Sequence, residues 1–289
     1  MPVTDAQLAA ALGAARVRRR PWPYASTFPI EELQVEGGTS GSRTVLFKDL
    51  TRGAELPRPG FVTDPRREIA AYSDVLEPEA IGAPRCYASF IDGERAWLFL
   101  ELVDGRPLWQ IGEIEAWQEA ARWLAALHAR PVTPSRRLPR YDADHLRRRF
   151  SLASGLPRAE QIGAAVAERL AALPASFIHG EFCASNVLIE RNGGRVRPVD
   201  WETCGTGPGV LDLAALTAGS WPEAARLRIE RAYLDACRPR LRPTPEDIDY
   251  ARLLLAGQWL GWSARWTPPP HHAHDWGAEV VTLIERLAL

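Results

Sequence analysis

Phe177-Ile178-His179-Gly180-Glu181-Phe182-Cys183-Ala184-Ser185-Asn186-Val187-Leu188, continuing after a short turn to Val199-Asp200-Trp201-Glu202, is the stretch that decides how this chain folds. Between its two halves Asn192-Gly193-Gly194 joins the apolar runs Val187–Glu190 and Val196–Val199, the pattern of a β-hairpin. A loop therefore carries the Glu181 carboxylate and the Asn186 amide, and a second carboxylate, Asp200, stands at the end of the return strand. A hairpin brings the chain back close to where it left, which would set Asn186 and Asp200 face to face. Their oxygens are hard donors of the kind Mg²⁺ takes, and Mg²⁺ held by so few protein groups usually completes its shell with phosphate oxygens.

Upstream, the chain carries 35 basic side chains, and Lys48 is the only lysine among them. Lysine supplies a compact, movable point charge where arginine imposes a planar fork. Residues 31–50 hold two β-prone runs around Gly37-Gly38-Thr39-Ser40-Gly41, a hairpin signal. Lys48 ends the second run, with Leu46 on its face and Val45 and Phe47 on the other. After the prolines and glycine at 57–60, Asp64-Pro65 starts a helix through Glu68 to about Leu76, with an apolar stripe of Ile69, Tyr72, Val75 and Leu76. Thr4–Gln7 reads as a capping box opening an alanine-rich helix to about residue 17. Further strands are expected over 85–91 and 96–103.

Beyond Asp104-Gly105 helical patterns dominate, over 113–129, 141–150, 158–173, 211–217, 222–237, 245–265 and 272–288. The expected architecture is α+β and two-lobed. A small β-rich lobe spans 1–103 and a larger, mainly helical lobe 104–289. A cleft between lobes is a common place for a ligand.

Composition narrows the function. A hydrophobic share of 46% and a charged share of 25% belong to an ordinary globular protein. A formal charge of −1 gives no general pull toward nucleic acid or an anionic membrane. The four cysteines (Cys86, Cys183, Cys204 and Cys237) are far apart with no CxxC pair, which favours reduced thiols in a cytoplasmic protein over a zinc ribbon or disulfide framework. No apolar run approaches the roughly 18 residues of a membrane span, and the N-terminal arginines follow the apolar stretch, the reverse of a signal peptide. His271-His272-Ala273-His274-Asp275 follows three prolines and reads as a helix start, not a metal site. Trp259, Trp262 and Trp266 share helical spacing and read as core. Cys183 has no clear activating base beside it other than His179, and the sequence gives no reason to make it a nucleophile.

His-Gly-Glu, four residues, Asn, then a hairpin ending in Asp-Trp-Glu resembles the catalytic loop and metal segment of the aminoglycoside phosphotransferase and choline kinase superfamily, whose fold is similar to that of protein kinases. The resemblance covers most of the chain. It implies that Lys48 contacts the nucleotide phosphates, that Glu68 pairs with it, and that backbone around Gly38 and Ser40 covers the phosphates. Glu101 to Gly105 looks like the hinge holding adenine, through Glu101 and Val103. Asn186 and Asp200 would hold Mg²⁺, and Glu181 would accept or orient the proton of a hydroxyl acceptor. His179 would pin the loop. Leu124–His128 and Asp212-Leu213-Ala214 resemble further family landmarks. The implied activity is transfer of the γ-phosphoryl group of ATP or GTP to a hydroxyl of a small molecule, such as an aminoglycoside-like antibiotic, an amino sugar or a biosynthetic intermediate. An antibiotic acceptor would imply a resistance role. The departure is Glu181, where the family most often has aspartate; it leaves a second reading, a catalytically weak pseudokinase that binds nucleotide or a small ligand.

Overall fold

The computed structural model describes residues 3–23, 28–37, 42–51, 64–77, 80–93, 95–132, 135–151, 156–263 and 274–289. The chain divides into two compact units, Met1–Gly105 with Glu190–Thr203, and Arg106–Ile189 with Cys204–Leu289. Residues 190–203, which the sequence reading groups with 104–289, pack with the first unit because Arg197 and Asp200 are tied there by ion pairs to Glu101 and Lys48.

The first unit opens with α1 (Asp5–Ala11), started by the reciprocal Thr4–Gln7 capping box. This helix stops well short of residue 17. Gly13, at φ 59, turns the chain, and Arg16–Pro21 forms β1. Four arginines and a proline surround the single buried Val17, so the strand has almost no apolar alternation to announce it. Such a composition suits a sheet edge. β2 (Ile30–Glu36), β3 (Arg43–Asp49), α2 (Pro65–Ala71), β4 (Cys86–Asp92) and β5 (Arg95–Glu101) complete the unit, apart from the hairpin segment. The strands form one antiparallel sheet in the order β1-β2-β3-β5-β4.

Alternation along β3 decides what each face does. Val45 and Phe47 enter a core with Leu8, Val17, Leu33, Val35, Trp97 and Phe99. There Phe47 stacks on Phe99 at 5.0 Å and meets Trp97 edge-on at 5.9 Å. A ring so placed is worth on the order of 3–5 kcal/mol against alanine. Lys48, one residue on, points to the other face, between Ile30 and Leu98 in register. α2 starts where Asp64 accepts a hydrogen bond from Arg66 N at 2.9 Å, with Pro65 in the first turn, and continues into a π-helical turn over Tyr72–Leu76.

The chain passes to the second unit through β6 (Gly105–Pro107). Next come α3 (Ile114–His128), α4 (Ala143–Phe150), α5 (Ala159–Ala171), β7 (Ala175–Ile178), β8 (Val187–Glu190), β9 (Val196–Pro198) and β10 (Gly205–Pro208). α6 (Val210–Leu216), α7 (Glu223–Ala236), α8 (Pro245–Ser263) and α9 (Trp276–Leu287) end the chain. Each helix expected after residue 104 has a counterpart. β7 pairs antiparallel with β10, Ile178 opposite Gly205. α3 packs on α7, while α8 packs on α4, α5, α6 and α9. Leu124, Val166, Leu213, Ile229 and Leu253 fill the interior.

Candidate active site

In the first unit the sole lysine is 3% exposed, and its ammonium lies 2.6 Å from Glu68 Oε2 and 2.5 Å from Asp200 Oδ1. β3 delivers Lys48 and α2 delivers Glu68, whose other oxygen accepts a hydrogen bond from Trp201 N at 3.3 Å. Asp200 holds a φ of 65, a left-handed conformation that aspartate tolerates better than most residues. Strained backbone of this kind collects at functional sites, where surrounding contacts hold it. Glu202, two residues on and 1% exposed, adds a third carboxylate to the field at Lys48.

Burial by itself would push the Lys48 ammonium's pKa down, but Asp200, Glu68 and Glu202 reverse this and the net direction is upward. The Glu68 carboxyl moves upward too, because burial and the neighbouring Asp200 outweigh the pull of Lys48. Both directions follow from one cause: three carboxylates lie around one buried ammonium. Arg67, also buried, donates to Glu202 O at 3.3 Å and brings a second cation beside the group.

Glu101 ends β5, where its side chain accepts from Arg85 N at 3.0 Å and pairs with Arg197 at 2.5 Å; Arg197 also pairs with Glu190. The Glu101 carboxylate thus ties the hairpin segment to the sheet. Val103, just past β5, is half-buried. Gly38 and Ser40 lie outside the described residues, as do Trp266, His271 and His272.

The second unit builds the loop after β7 on a different plan. Asp212, fully buried near the start of α6, accepts hydrogen bonds from His179 N at 2.7 Å and Gly180 N at 2.8 Å. One of its oxygens also meets His128 Nε2 at 3.2 Å, and His128 Nδ1 lies 2.8 Å from the Tyr233 hydroxyl. α6 approaches so closely that a Cβ on Gly209 would stand 2.5 Å from the His128 ring. Gly180 takes φ 83, which a side chain would oppose, and the chain turns there.

Beyond the turn, Glu181 N donates to His179 Nδ1 at 3.4 Å, and Glu181 O accepts from Cys183 N at 2.8 Å and Asn186 Nδ2 at 3.1 Å. With its NH₂ committed to the Glu181 carbonyl, Asn186 has its own amide oxygen fixed in direction. Phe182 is fully buried, stacked on Trp123 at 5.6 Å and edge-on to His179 at 5.7 Å.

Lys48, Glu68 and Asp200 thus come together within the first unit, and Glu181 and Asn186 within one loop of the second. The sequence reading did not single out Glu202 in the Lys48 group or Tyr233 behind His128. Only Glu202 had a local signal, as the acid directly after Asp200-Trp201. His274 and Asp275, from the set-aside histidine run, serve α9: Asp275 caps it, and His274 bonds Ser220 and Glu279.

A family model described as a phosphotransferase enzyme family matches residues 33–244, most of the chain. The chain belongs to this phosphotransferase family. Its fold is the α+β, protein-kinase-like fold of small-molecule kinases, and it is an enzyme of that kind. The choline kinase LicA of Streptococcus pneumoniae superposes with a TM-score of 0.65 at 15% identity, over 98% of this chain and 96% of that one. An ethanolamine kinase of Plasmodium vivax gives a TM-score of 0.63 at 14% identity, over 94% and 82%. An aminoglycoside phosphotransferase of Streptomyces rimosus gives 0.56 at 18% identity, over 87% and 96%. No individual curated protein sequence matches this phosphotransferase significantly. Among the described residues, no helix is long and apolar enough to cross a membrane.

Proposed function

We propose that this phosphotransferase moves the γ-phosphoryl group of ATP or GTP to a hydroxyl of a small molecule, in a Mg²⁺-dependent reaction in the cytoplasm. The observation that carries the proposal is the buried Lys48 held between Glu68 and Asp200. Glu68 keeps the ammonium extended and charged, ready for phosphate oxygens. The Asp200 carboxylate and the amide oxygen of Asn186 would be the donors for Mg²⁺. The hardness of these oxygens fits such an ion. When bound, the metal would neutralise charge on the phosphates. Val103 and the main chain at Glu101 would hold the base, and the turn around Gly38 and Ser40 the phosphates.

Glu181 would orient the acceptor hydroxyl and take its proton. Its backbone is fixed on both sides, by His179 and Asp212 before it and by Cys183 and Asn186 after it. This rigidity supports an active enzyme despite a side chain one methylene longer than aspartate. The likeness to choline, ethanolamine and aminoglycoside kinases favours an amino alcohol or amino sugar as acceptor.

The test is a thermal-shift titration with Mg-ATP and Mg-GTP on wild type, Lys48→Ala and Asp200→Ala, followed by turnover on a panel of amino alcohols and aminoglycosides. Stabilisation by nucleotide in wild type, lost in both variants, is expected, with turnover abolished by Glu181→Ala. The absence of any shift in wild type would end the proposal. A shift without turnover on any acceptor, unaltered by Glu181→Ala, would favour the pseudokinase that binds nucleotide.

A further inference from the structure

The second unit holds a cavity of about 330 Å³ whose walls come from the segment before α7 and from α7, α8 and α9. None of Lys48, Glu68, Asp200, Glu181 or Asn186 lines it. Its size sits at the lower end of small-molecule sites. Trp221, Leu227, Pro245 and Ile248 supply an apolar wall, and the rest is charged.

Most of those charges cancel. Arg252 pairs with Glu279 at 2.7 Å and Asp249 at 3.3 Å, and Arg286 pairs with Asp249 at 3.2 Å. Three lining groups are left over, of which Glu223, in the first turn of α7, is exposed to solvent. Glu230 is only 9% exposed, yet it makes no hydrogen bond or ion pair among the described residues. Arg226 donates one Nη2 bond to Gly219 O at 2.9 Å, and its buried Nε has no partner. Burial pushes the Glu230 carboxyl upward, and Arg252 and Arg226 offset this only in part. Burial, then the nearby Arg252, pushes the Arg226 guanidinium downward.

Their order on the helix explains why the two do not simply neutralise each other. Arg226 and Glu230 are four residues apart on α7, so their Cβ atoms lie roughly 5–6 Å apart along one face. The base precedes the acid, which is the poorer order for a direct i,i+4 pair. Besides the exposed Glu223, one cation and one anion, each incompletely partnered, therefore flank the same cavity.

We propose that this cavity binds a small zwitterion with an apolar body, its carboxylate on Arg226, its ammonium on Glu230 and its side chain against Trp221, Leu227 and Ile248. An apolar α-amino acid has this chemistry. An anion alone would face Glu230 and leave it unpaired, and a cation alone would meet the guanidinium of Arg226 with Arg252 and Arg286 close by. The proposal stands apart from the phosphotransfer site.

Isothermal titration of the full chain without nucleotide tests it, using L-leucine and two singly charged relatives, 3-methylbutylamine and 4-methylpentanoate. Leucine is expected to bind saturably with one site, and each relative about tenfold or more weakly. Glu230→Gln and Arg226→Met should each weaken leucine binding about tenfold, and Glu230→Gln should also erase the preference for leucine over 4-methylpentanoate. Arg226→Lys, which keeps the charge, covers the case in which Arg226→Met does not fold; it should retain more leucine binding than any neutral replacement. The proposal is overturned if leucine, phenylalanine and methionine all fail to bind wild type up to about 10 mM. Leucine binding that survives unchanged in both Glu230→Gln and the folded Arg226 variant overturns it equally.

Discussion

The two groups of candidate residues, one in each unit, are held by opposite means. Around Lys48 the structure relies on side-chain charges: a buried ammonium among three carboxylates. Around Glu181 it relies on backbone: Asp212 grips two consecutive amides, and the Asn186 side chain grips a carbonyl. A charged cluster of this kind responds to any cation or phosphate that enters it. A backbone-clamped loop holds its shape whether or not a ligand is present. Under the proposed function the difference divides the tasks: the first region would receive a variable charge, and the second would keep a reacting group still.

The harshest test removes charge from the first region. Lys48→Met or Asp200→Ala is expected to lower phosphoryl transfer by on the order of 10³-fold, as loss of a preorganised electrostatic group does. Lys48→Met should also cost about 3–5 kcal/mol of stability, because Glu68 stays buried with its cation gone. Urea denaturation reads that cost, and adding Glu68→Gln should return part of it. If Lys48→Met leaves stability unchanged, the charged description of this region is wrong.

In the second region the corresponding change is geometric. Glu181→Asp draws the carboxylate back by about 1.5 Å, one carbon–carbon bond. Turnover should fall by about a hundredfold, while the nucleotide-induced rise in melting temperature stays as in wild type. A loss of nucleotide binding would show that the two regions are not divided in this way. Asp212→Asn should be milder, costing about 1–3 kcal/mol by weakening charge-assisted bonds to His179 and Gly180. Turnover should drop with it; an unchanged rate at lower stability would make the clamp purely architectural.

The smallest effect is on pH dependence. Because the Lys48 pKa is raised in the fold, its contribution to stability is whole below the ordinary lysine value of 10.5 and is lost as pH climbs above that toward the folded value. Wild type should therefore lose more stability than Lys48→Met across that alkaline range, read as urea midpoints. Parallel profiles would contradict the cluster's role.

Much of this was legible in the sequence for particular reasons. Lys48 stood out as a lone lysine at the end of an alternating strand, while Glu68 was picked out by the family resemblance rather than by its place on the helix. The hairpin glycines and the Asp200 that follows fixed the rest of the first group. β1 was hidden because an edge strand with one buried residue has no apolar period, and an alanine-rich stretch before it reads as uninterrupted helix. The Asp212–His128–Tyr233 chain was only half visible: two members sat in recognisable motifs, but Tyr233 reaches His128 across 105 residues of sequence, a pairing that no local pattern encodes. The division at Glu190 was equally hidden, since it depends on Arg197 meeting Glu101 rather than on composition.

A solitary, 3% exposed lysine also makes the molecule chemically addressable in an unusual way. Ordinary amine-acylating reagents have no surface lysine to modify and will react chiefly at the chain's amino terminus. A nucleotide carrying an acyl-phosphate warhead would meet the one remaining amine only by entering the proposed nucleotide site. With the amino terminus acylated beforehand, the mass then added to the intact protein reports modification of Lys48.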